Sequence, residues 1–453
     1  MKIAFTTLGC KLNFAETSTY RRDFIARGAD VVPWSEPADV YVINTCAVTE
    51  TAEKKSRNLI RRAHKTSPEA RIAVTGCYAE LRRDELLALP GVAFVFGASE
   101  KSQLVDTVAG KAAEEAEGPA GMAALGRVRG RGPSLLGKDS SEGAYRTGPS
   151  ASSAYTEAPA AEILPAYSSG DRTRSFLKVQ DGCDNFCAYC TVPYARGRSR
   201  NIPICEAVRE AKIIAEKGVK EIVLTGVNTG DFGRTTGESF LDLLKALNEV
   251  EGIERYRISS IEPNLLTEEI IDWIASGTKF QKHFHIPLQT GCDELLRKVN
   301  RHYDTALFAS RIDYIRSKME RPGESKVFFG IDVIAGLPGE TDEMFRETYH
   351  FLKERIHPAF LHVFHYSRRP GTRAAVMPDQ VRDSVKTERV AELDKLCGEL
   401  HEEFARKHRG MKETVLWESA RKDGKMGGYT GNYIRVERPW DPERAGKLEE
   451  IEI

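Results

Sequence analysis

The pattern of apolar and polar positions changes character three times along the 453 residues. At first, short apolar runs alternate with amphipathic stretches. Lys2–Thr7 reads as a strand, Asn13–Gly28 as a helix stopped by its glycine, Val40–Asn44 as a buried strand and Thr51–His64 as a basic helix. Arg71–Thr75 (RIAVT) reads as another strand, Arg82–Leu89 as a helix and Val92–Phe96 as a strand. Such alternation predicts α/β architecture, with a Rossmann-like parallel sheet domain over residues 1–108. From 109 to 170 the period collapses into Gly-, Ala-, Ser- and Pro-rich sequence, which predicts a flexible linker, with a substrate-binding segment as the other reading. Apolar segments return at 176–179 (FLKV), 221–226 (EIVLTG), 255–260 (RYRISS), 284–289 (FHIPLQ), 327–336 (VFFGIDVIAG) and 359–366 (AFLHVFHY), with helical patterns between them. Six strands alternating with helices predict a (β/α)6 partial barrel over 171–410, ending in a long helix near 383–408. In the tail, 411–453, the segments at 413–418, 427–437 and 448–453 read as strands joined by turns, predicting a small β barrel.

Bulk properties narrow the class. Hydrophobic residues at 41% and charged residues at 29% are the composition of a soluble globular protein. Lys+Arg and Asp+Glu both total 66, so a nucleic-acid partner gains no support from bulk charge and must be met by local patches. The start, MKIAFTTLGC, lacks the pattern of a secretory signal, and no stretch approaches the roughly 20 apolar residues that span a bilayer. A cytoplasmic protein with no membrane partner is expected. Nine cysteines, an odd number scattered along the chain, suit metal or cluster ligation in a reducing compartment better than disulfides.

The cysteine spacing carries the chemistry. Directly after the first barrel strand comes DGCDNFCAYC, with Cys183, Cys187 and Cys190 spaced C-x3-C-x2-C. Two more cysteines at those offsets follow a given one about four times in ten thousand by chance. Three close thiolates can hold a cubane [4Fe–4S] cluster and leave one iron open. Structural zinc wants a closed set of four ligands, and no partnering pair lies nearby. Cys10, Cys46 and Cys77 form a second set, each following a predicted strand (IAFTTLGC, VYVINTC, IAVTGC). The carboxyl ends of parallel strands share one edge, so these thiols either converge on one metal centre or remain three separate buried cysteines. Cys205, Cys292 and Cys397 are read as bystanders.

The C-x3-C-x2-C loop after the first strand of a six-stranded α/β barrel resembles the radical S-adenosylmethionine (SAM) superfamily. That resemblance implies a cluster whose open iron binds S-adenosylmethionine, which is split by one electron to a 5′-deoxyadenosyl radical. LGCKLNFAET, INTCAVTETAEKKSR and VTGCYAE, with KVQDGCDNFCAYCTVPYARGRSR and the tail, resemble the methylthiotransferase family over nearly the whole chain outside about 109–170. The family resemblance implies a second [4Fe–4S] cluster on Cys10, Cys46 and Cys77, whose sulfur enters a new C–S bond. It further implies an external electron donor (a reductase or flavodoxin-like protein) and a sulfur donor. Within the family the motifs most resemble the branch acting on N6-threonylcarbamoyladenosine beside the tRNA anticodon. The isopentenyladenosine branch is the alternative, followed by the branch modifying an aspartate of a ribosomal protein. A non-enzymatic iron–sulfur scaffold is the reading from another class.

By the same resemblance Tyr189 lies beside the adenine of the cofactor, Gly226 lets backbone approach its methionine amine, and Glu262 and Gln289 meet its ribose or carboxylate. Plainer roles are packing for Tyr189, a turn for Gly226, and helix-start or strand-end polarity for Glu262 and Gln289. Arg196, Arg198 and Arg200 in ARGRSR, and the basic SRNLIRRAHK helix, are candidates for tRNA phosphate, against a solvated charged face. The tail resembles a TRAM domain, an RNA-associated β barrel, but departs from it in carrying many acids, Glu413, Glu418, Glu437, Glu443, Glu449 and Glu450 among them.

Overall fold

The computed structural model describes residues 1–116, 163–170 and 172–453. Most of the linker expected over 109–170 therefore lies outside the described residues. Of its described ends, 109–116 continue a helix and Tyr167 bridges to Leu177.

The amino-terminal domain is built from β1 (Lys2–Thr7), α1 (Lys11–Ala26), β2 (Asp30–Val31), β3 (Val40–Thr45), α2 (Glu50–Thr66), β4 (Arg71–Gly76), α3 (Cys77–Leu81), α4 (Arg83–Leu87), β5 (Val92–Phe96) and α5 (Leu104–Ala116). Its five strands run parallel in the order β2-β1-β3-β4-β5. One face buries Ile60 and Tyr78 against Tyr41, Ile43, Ile72 and Val74; the other buries Tyr20, Phe24 and Leu104 against Ile3, Val40 and Val42. Alternate residues of β3 thus serve opposite faces, as the pleat requires. The helix expected over 82–89 is the shorter α4, and Arg82, at φ −140°, separates it from α3, which the pattern did not show.

The central domain follows with β6 (Ser175–Lys178), β7 (Gln180–Asp181), α6 (Val192–Arg196), β8 (Arg200–Asn201), α7 (Ile204–Glu216), β9 (Glu221–Thr225), α8 (Phe240–Asn248), β10 (Arg255–Ile258), α9 (Glu268–Ala275), β11 (His283–Gln289), α10 (Asp293–Lys298), α11 (Thr305–Met319), β12 (Phe328–Ala335), α12 (Asp342–His350), β13 (Phe360–His365) and α13 (Asp383–Arg406). The parallel sheets β10-β9-β6 and β11-β12-β13 are joined by the parallel bridges Tyr256–Phe280 and Ser260–His285. The result is a six-stranded partial barrel, left open between β6 and β13.

Helix α1 occupies part of that opening. Leu177, Ile222 and Leu224 join the core under the outer helices, so their neighbours Phe176, Lys178 and Val223 face inward. Phe14 and Ala15 pack on Phe176 and Val223, the two phenyl rings meeting edge to face at 5.7 Å. The buried face of α1 is unusually polar, with Asn13, Glu16, Thr17 and Ser18 all inside. Burying a carboxylate costs several kcal/mol unless it is paired. Glu16 is paired three times, to Lys101 and Lys178 at 3.0 Å and to Arg196 at 3.3 Å. Asp181 extends the network, reaching Lys178 at 2.7 Å and Arg196 at 2.8 Å.

The tail strands β14 (Lys412–Lys422), β15 (Lys425–Thr430), β16 (Arg435–Pro439) and β17 (Leu448–Glu452) form a curled antiparallel sheet in the order β16-β15-β14-β17. The single strand expected over 427–437 is broken by a turn in which Tyr433 takes a left-handed φ of 66°. This sheet docks on the amino ends of the barrel strands. Arg257 donates to the carbonyls of Gly431 at 2.7 Å and Thr430 at 2.8 Å while pairing with Glu221 at 2.7 Å.

The Glu16 network makes a stability prediction. Burial alone would raise both carboxyls, but the surrounding cations outweigh it and hold Glu16 and Asp181 below their ordinary 4.5 and 3.8. Between those values and the depressed folded ones the unfolded chain binds protons that the folded chain refuses. This contribution is therefore complete above about pH 5 and is lost progressively as pH falls below about 4. Glu16→Gln leaves buried cations uncompensated and is expected to cost about 3–5 kcal/mol in urea unfolding at pH 7. An unchanged midpoint in that variant would remove the network's role.

Candidate active site

β1, β3 and β4 are neighbours, so their carboxyl ends deliver Cys10, Cys46 and Cys77 to one edge of the sheet. Cys10 is the N-cap of α1 and Cys77 opens α3. The approach is close enough to demand glycine. At Gly9, with φ +101°, a Cβ would lie 3.2 Å from the Cys46 sulfur, so the loop carrying Cys10 runs directly over Cys46. At Gly76, with φ +98°, a Cβ would strike the Thr45 carbonyl. Burial pushes the Cys46 thiol up to about 12, and the charges of Cys77 and Cys10 push in the same direction. The Cys77 thiol is also raised by burial, against the pull of Arg196 and Lys101. The three thiols thus feel one another, and they sit beside the cationic side of the Glu16 network.

The second trio occupies the loop between β7 and α6. Gly182, with φ +75°, turns the chain over the carbonyls of Gly197 and Arg198. Cys183 and Cys187 are each only 8% exposed. Burial raises the Cys183 thiol to about 12, with Cys187 adding to it, and raises Cys190 further. The loop after α10 clamps this segment: Ala188 N–H donates to the Val299 carbonyl at 2.9 Å, and Asn300 Nδ2 donates to the Asn185 carbonyl at 2.8 Å. Arg301 then spans the site, donating to the Cys187 sulfur at 3.1 Å and pairing with Glu262 at 2.7 Å.

These donor sets fit iron–sulfur clusters. All nine cysteines are free, and each trio gathers soft, mutually repelling thiols beside a guanidinium. Ligation by iron replaces the protons that burial otherwise retains. Among the described residues, the trio of possible ligand atoms packed within 4.8 Å of one another is His285, Asp332 and His362. The cysteine sulfurs are set wider, which suits a multi-iron cluster better than a single zinc, whose bonds of about 2.3 Å would draw them together. Cys205 is exposed, Cys397 donates to the Leu361 carbonyl at 3.4 Å, and Cys292 neighbours Glu347.

The other expected residues fall as follows. Glu262 lies against the cluster loop, accepting from Asn185 Nδ2 at 2.8 Å. Gly226 has no room for a side chain, since a Cβ would lie 2.8 Å from Gln180 Oε1, which accepts from the Val227 and Asn228 N–H groups. Gln289 ends β11 at a bulge with φ 72°, a strained conformation that clusters at functional sites. Tyr189 packs with Ala188, Val299, Leu337 and Tyr366. The arginines expected to meet phosphate divide. Arg196 is only 2% exposed and is spent on Glu16 and Asp181. Arg200 donates to the Arg196 carbonyl at 2.7 Å and is largely enclosed. Arg198 is half-buried, whereas Arg61, Arg62 and Lys65 on α2 are exposed. Arg301, Asn300 and Gln180 escaped the sequence reading; no motif marks them, because their partners lie in loops remote in sequence.

A partial barrel with a cysteine loop after its first strand defines a radical SAM protein, and residues 177–352 match the Radical SAM superfamily. Residues 2–97 match the family described as Uncharacterized protein family UPF0004. The chain is 37% identical to the threonylcarbamoyladenosine tRNA methylthiotransferase MtaB of Bacillus subtilis, over 100% of this chain and 93% of that one. It is 35% identical to the MtaB of Aquifex aeolicus over the full length of both. It is 32% identical to the tRNA-2-methylthio-N(6)-dimethylallyladenosine synthase of Alkaliphilus oremlandii, over 100% of this chain and 90% of that one. The chain belongs to the radical SAM methylthiotransferase family. Among solved structures, the radical SAM methyltransferase TsrM from Kitasatospora setae shares the fold, with TM-score 0.54 and 15% identity over 83% of this chain and 77% of that one.

The raised thiols make a reactivity prediction. In metal-free protein at pH 8, iodoacetamide is expected to label the exposed Cys10 and Cys205 first and Cys46, Cys183 and Cys190 last, read by peptide mass spectrometry. Equal labelling rates would contradict the burial described.

Proposed function

We propose that this chain converts N6-threonylcarbamoyladenosine beside the tRNA anticodon to its 2-methylthio derivative. In this reading Cys183, Cys187 and Cys190 hold one [4Fe–4S] cluster, and Cys10, Cys46 and Cys77 hold a second. The observation that carries it is the pair of cysteine trios locked into one block by the Glu16 network. Radical generation needs one trio, and a second is what sulfur insertion adds. The named activity of the Bacillus and Aquifex relatives supports the nucleoside.

When bound, the two clusters and S-adenosylmethionine supply a hydrogen-abstracting radical, a sulfur and a methyl group. The chain's own residues position and shield them. Arg301 keeps a positive charge on the Cys187 sulfur and on Glu262. Tyr189, Gly226, Glu262 and Gln289 border the cofactor at the carboxyl ends of the strands. Arg198 and the exposed cations of α2 meet tRNA phosphate, with a reductase or flavodoxin-like electron donor and a sulfur donor acting from outside. Among the described residues no helix is long and apolar enough to cross a membrane, and a cytoplasmic setting is where such partners meet.

Anaerobic reconstitution is expected to load about eight iron per chain, and about four in a variant with Cys10, Cys46 and Cys77 all changed to alanine. That variant retains 5′-deoxyadenosine formation and loses thiomethylation. Mass spectrometry of tRNA nucleosides should show the 2-methylthio threonylcarbamoyl product depending on this chain. Dependence of the isopentenyl product instead, or of a ribosomal-protein aspartate, would replace the assigned substrate.

A further inference from the structure

The barrel interior holds a polar pocket that neither cysteine trio uses. His285, Asp332 and His362 lie on the adjacent strands β11, β12 and β13, with Asp332 and His362 direct register partners. Their neighbours Ile286, Ile331, Val333 and Leu361 join the core under the outer helices, so this trio faces inward. His285 Nε2 bonds Asp332 at 2.6 Å, and the two imidazoles stack at 4.7 Å. Gly330 lies beside His362, where a Cβ would stand 3.4 Å from the ring. Deeper on the same face, His283 keeps a buried Nδ1 without a partner.

The fourth member comes from the other domain. Lys11, the residue after Cys10, opens α1 and is half-buried, and Tyr433, Arg174, Asp332 and Arg257 are the charged groups that bear on it. Its ammonium makes no hydrogen bond or ion pair with any described residue. Two of those neighbours, Arg174 and Arg257, are themselves cations. Both are already paired, Arg174 with Glu418 and Arg257 with Glu221, so the half-buried Lys11 ammonium, with no direct partner of its own, is the cation left open to an arriving anion.

We propose that Lys11, His285, Asp332 and His362 form the pocket for the N6 substituent of the substrate adenosine. Lys11 pairs with its carboxylate, and the His285–Asp332 pair bonds its hydroxyl and urea groups. This rests on the reading given under Proposed function and names the part of the site that reads the substrate. Position supports it. Ser260 bridges to His285, which places that ring two residues, about 7 Å, beneath the level of Glu262, while Asp332 pairs with Pro287 and His362 with Asp332, close to the strand end at Gln289. A purine at the cofactor layer, with its C2 toward the Cys10 side, can extend its N6 arm into the pocket. Chemistry supports it too. A buried site built from charged and hydrogen-bonding groups rejects an apolar isopentenyl arm, which would leave those groups unpaired. A divalent metal on the same trio is disfavoured, because stacked rings aim their lone pairs side by side and Lys11 adds repulsion.

The test compares anticodon stem-loop RNAs bound to the reconstituted full chain. One carries threonylcarbamoyladenosine and the other its neutral methyl ester. The wild type is expected to bind the acid about 10-fold to 100-fold more tightly than the ester. Lys11→Met should bring the two affinities together, because the comparison within one variant cancels any general damage. Asp332→Asn should weaken both ligands while keeping the acid-over-ester ratio. A wild type that does not separate acid from ester, or a Lys11→Met variant that keeps the full preference, overturns the pocket assignment. So does one equivalent of zinc or manganese retained by the wild type and lost in His362→Ala. Wild-type turnover on the same RNAs separates the two levels: product from the threonylcarbamoyl RNA without acid–ester discrimination sinks only the pocket, and product from isopentenyl RNA alone sinks the substrate reading itself.

Discussion

A carboxylate buried on the wrong side of a helix organises this molecule. Glu16 sits on the inward face of α1, where an apolar residue would ordinarily stand, and draws Lys101 from its own domain and Lys178 and Arg196 from the barrel. The barrel could not bury its share alone, because Lys178, Arg196 and Arg200 would face Asp181 as their one carboxylate in a poorly polarizable interior. The barrel side is therefore stable in the pair or exposed without it. That dependence fixes the cysteines of one domain relative to the cysteines of the other, which no amount of apolar packing would orient as closely.

The same network reaches the chemistry through its excess charge. Two carboxylates, Glu16 and Asp181, face Lys101, Lys178, Arg196 and Arg200. The surplus is positive, and the Arg196 guanidinium acts on Cys77 and Cys10 as well as on its carboxylates. Thiolates are the natural remaining counter-charge. The interface that joins the domains also favours the anionic form of these sulfurs, the form in which a thiol binds metal. Arg301 repeats the device at the other trio, placed between the Cys187 sulfur and Glu262.

The legible part of this fold is the part governed by local pattern. VYVIN and RIAVT are continuous apolar runs because strands of a covered parallel sheet are buried on both faces, and the structure places them at β3 and β4. The C-x3-C-x2-C loop is legible because its ligands are neighbours in sequence. Cys10, Cys46 and Cys77 were legible only through topology, since strand ends meet at one edge. ARGRSR misled for the opposite reason. Three arginines in a glycine-containing loop look like a phosphate patch, and only residues 16 and 181 reveal that Arg196 is spoken for. Arg301 gave no signal, since its partners at 187 and 262 lie in loops far from it in sequence. The short helix at Cys77–Leu81 and the turn before Arg435 gave no signal, because single backbone dihedrals decide where each ends.

Charge placement also bears on how a chain of zero formal net charge handles RNA. With Arg196 and Arg200 consumed inside, and Arg174, Arg255 and Arg257 holding the tail sheet to the barrel, much of the arginine near the centre is structural. Two of the tail's acids are answered locally: Glu449 accepts from Trp417 and Arg438, and Glu437 pairs with Arg435. Cations left facing solvent, such as Arg61, Arg62 and Lys65, stand on α2, the helix that follows Cys46. A polyanion drawn to that helix arrives beside the amino-terminal trio rather than over the closed barrel helices. Interior arginines build the site and surface cations orient what approaches it. Because the first are buried in ion pairs, salt screens the approach of RNA far more than it loosens the site itself.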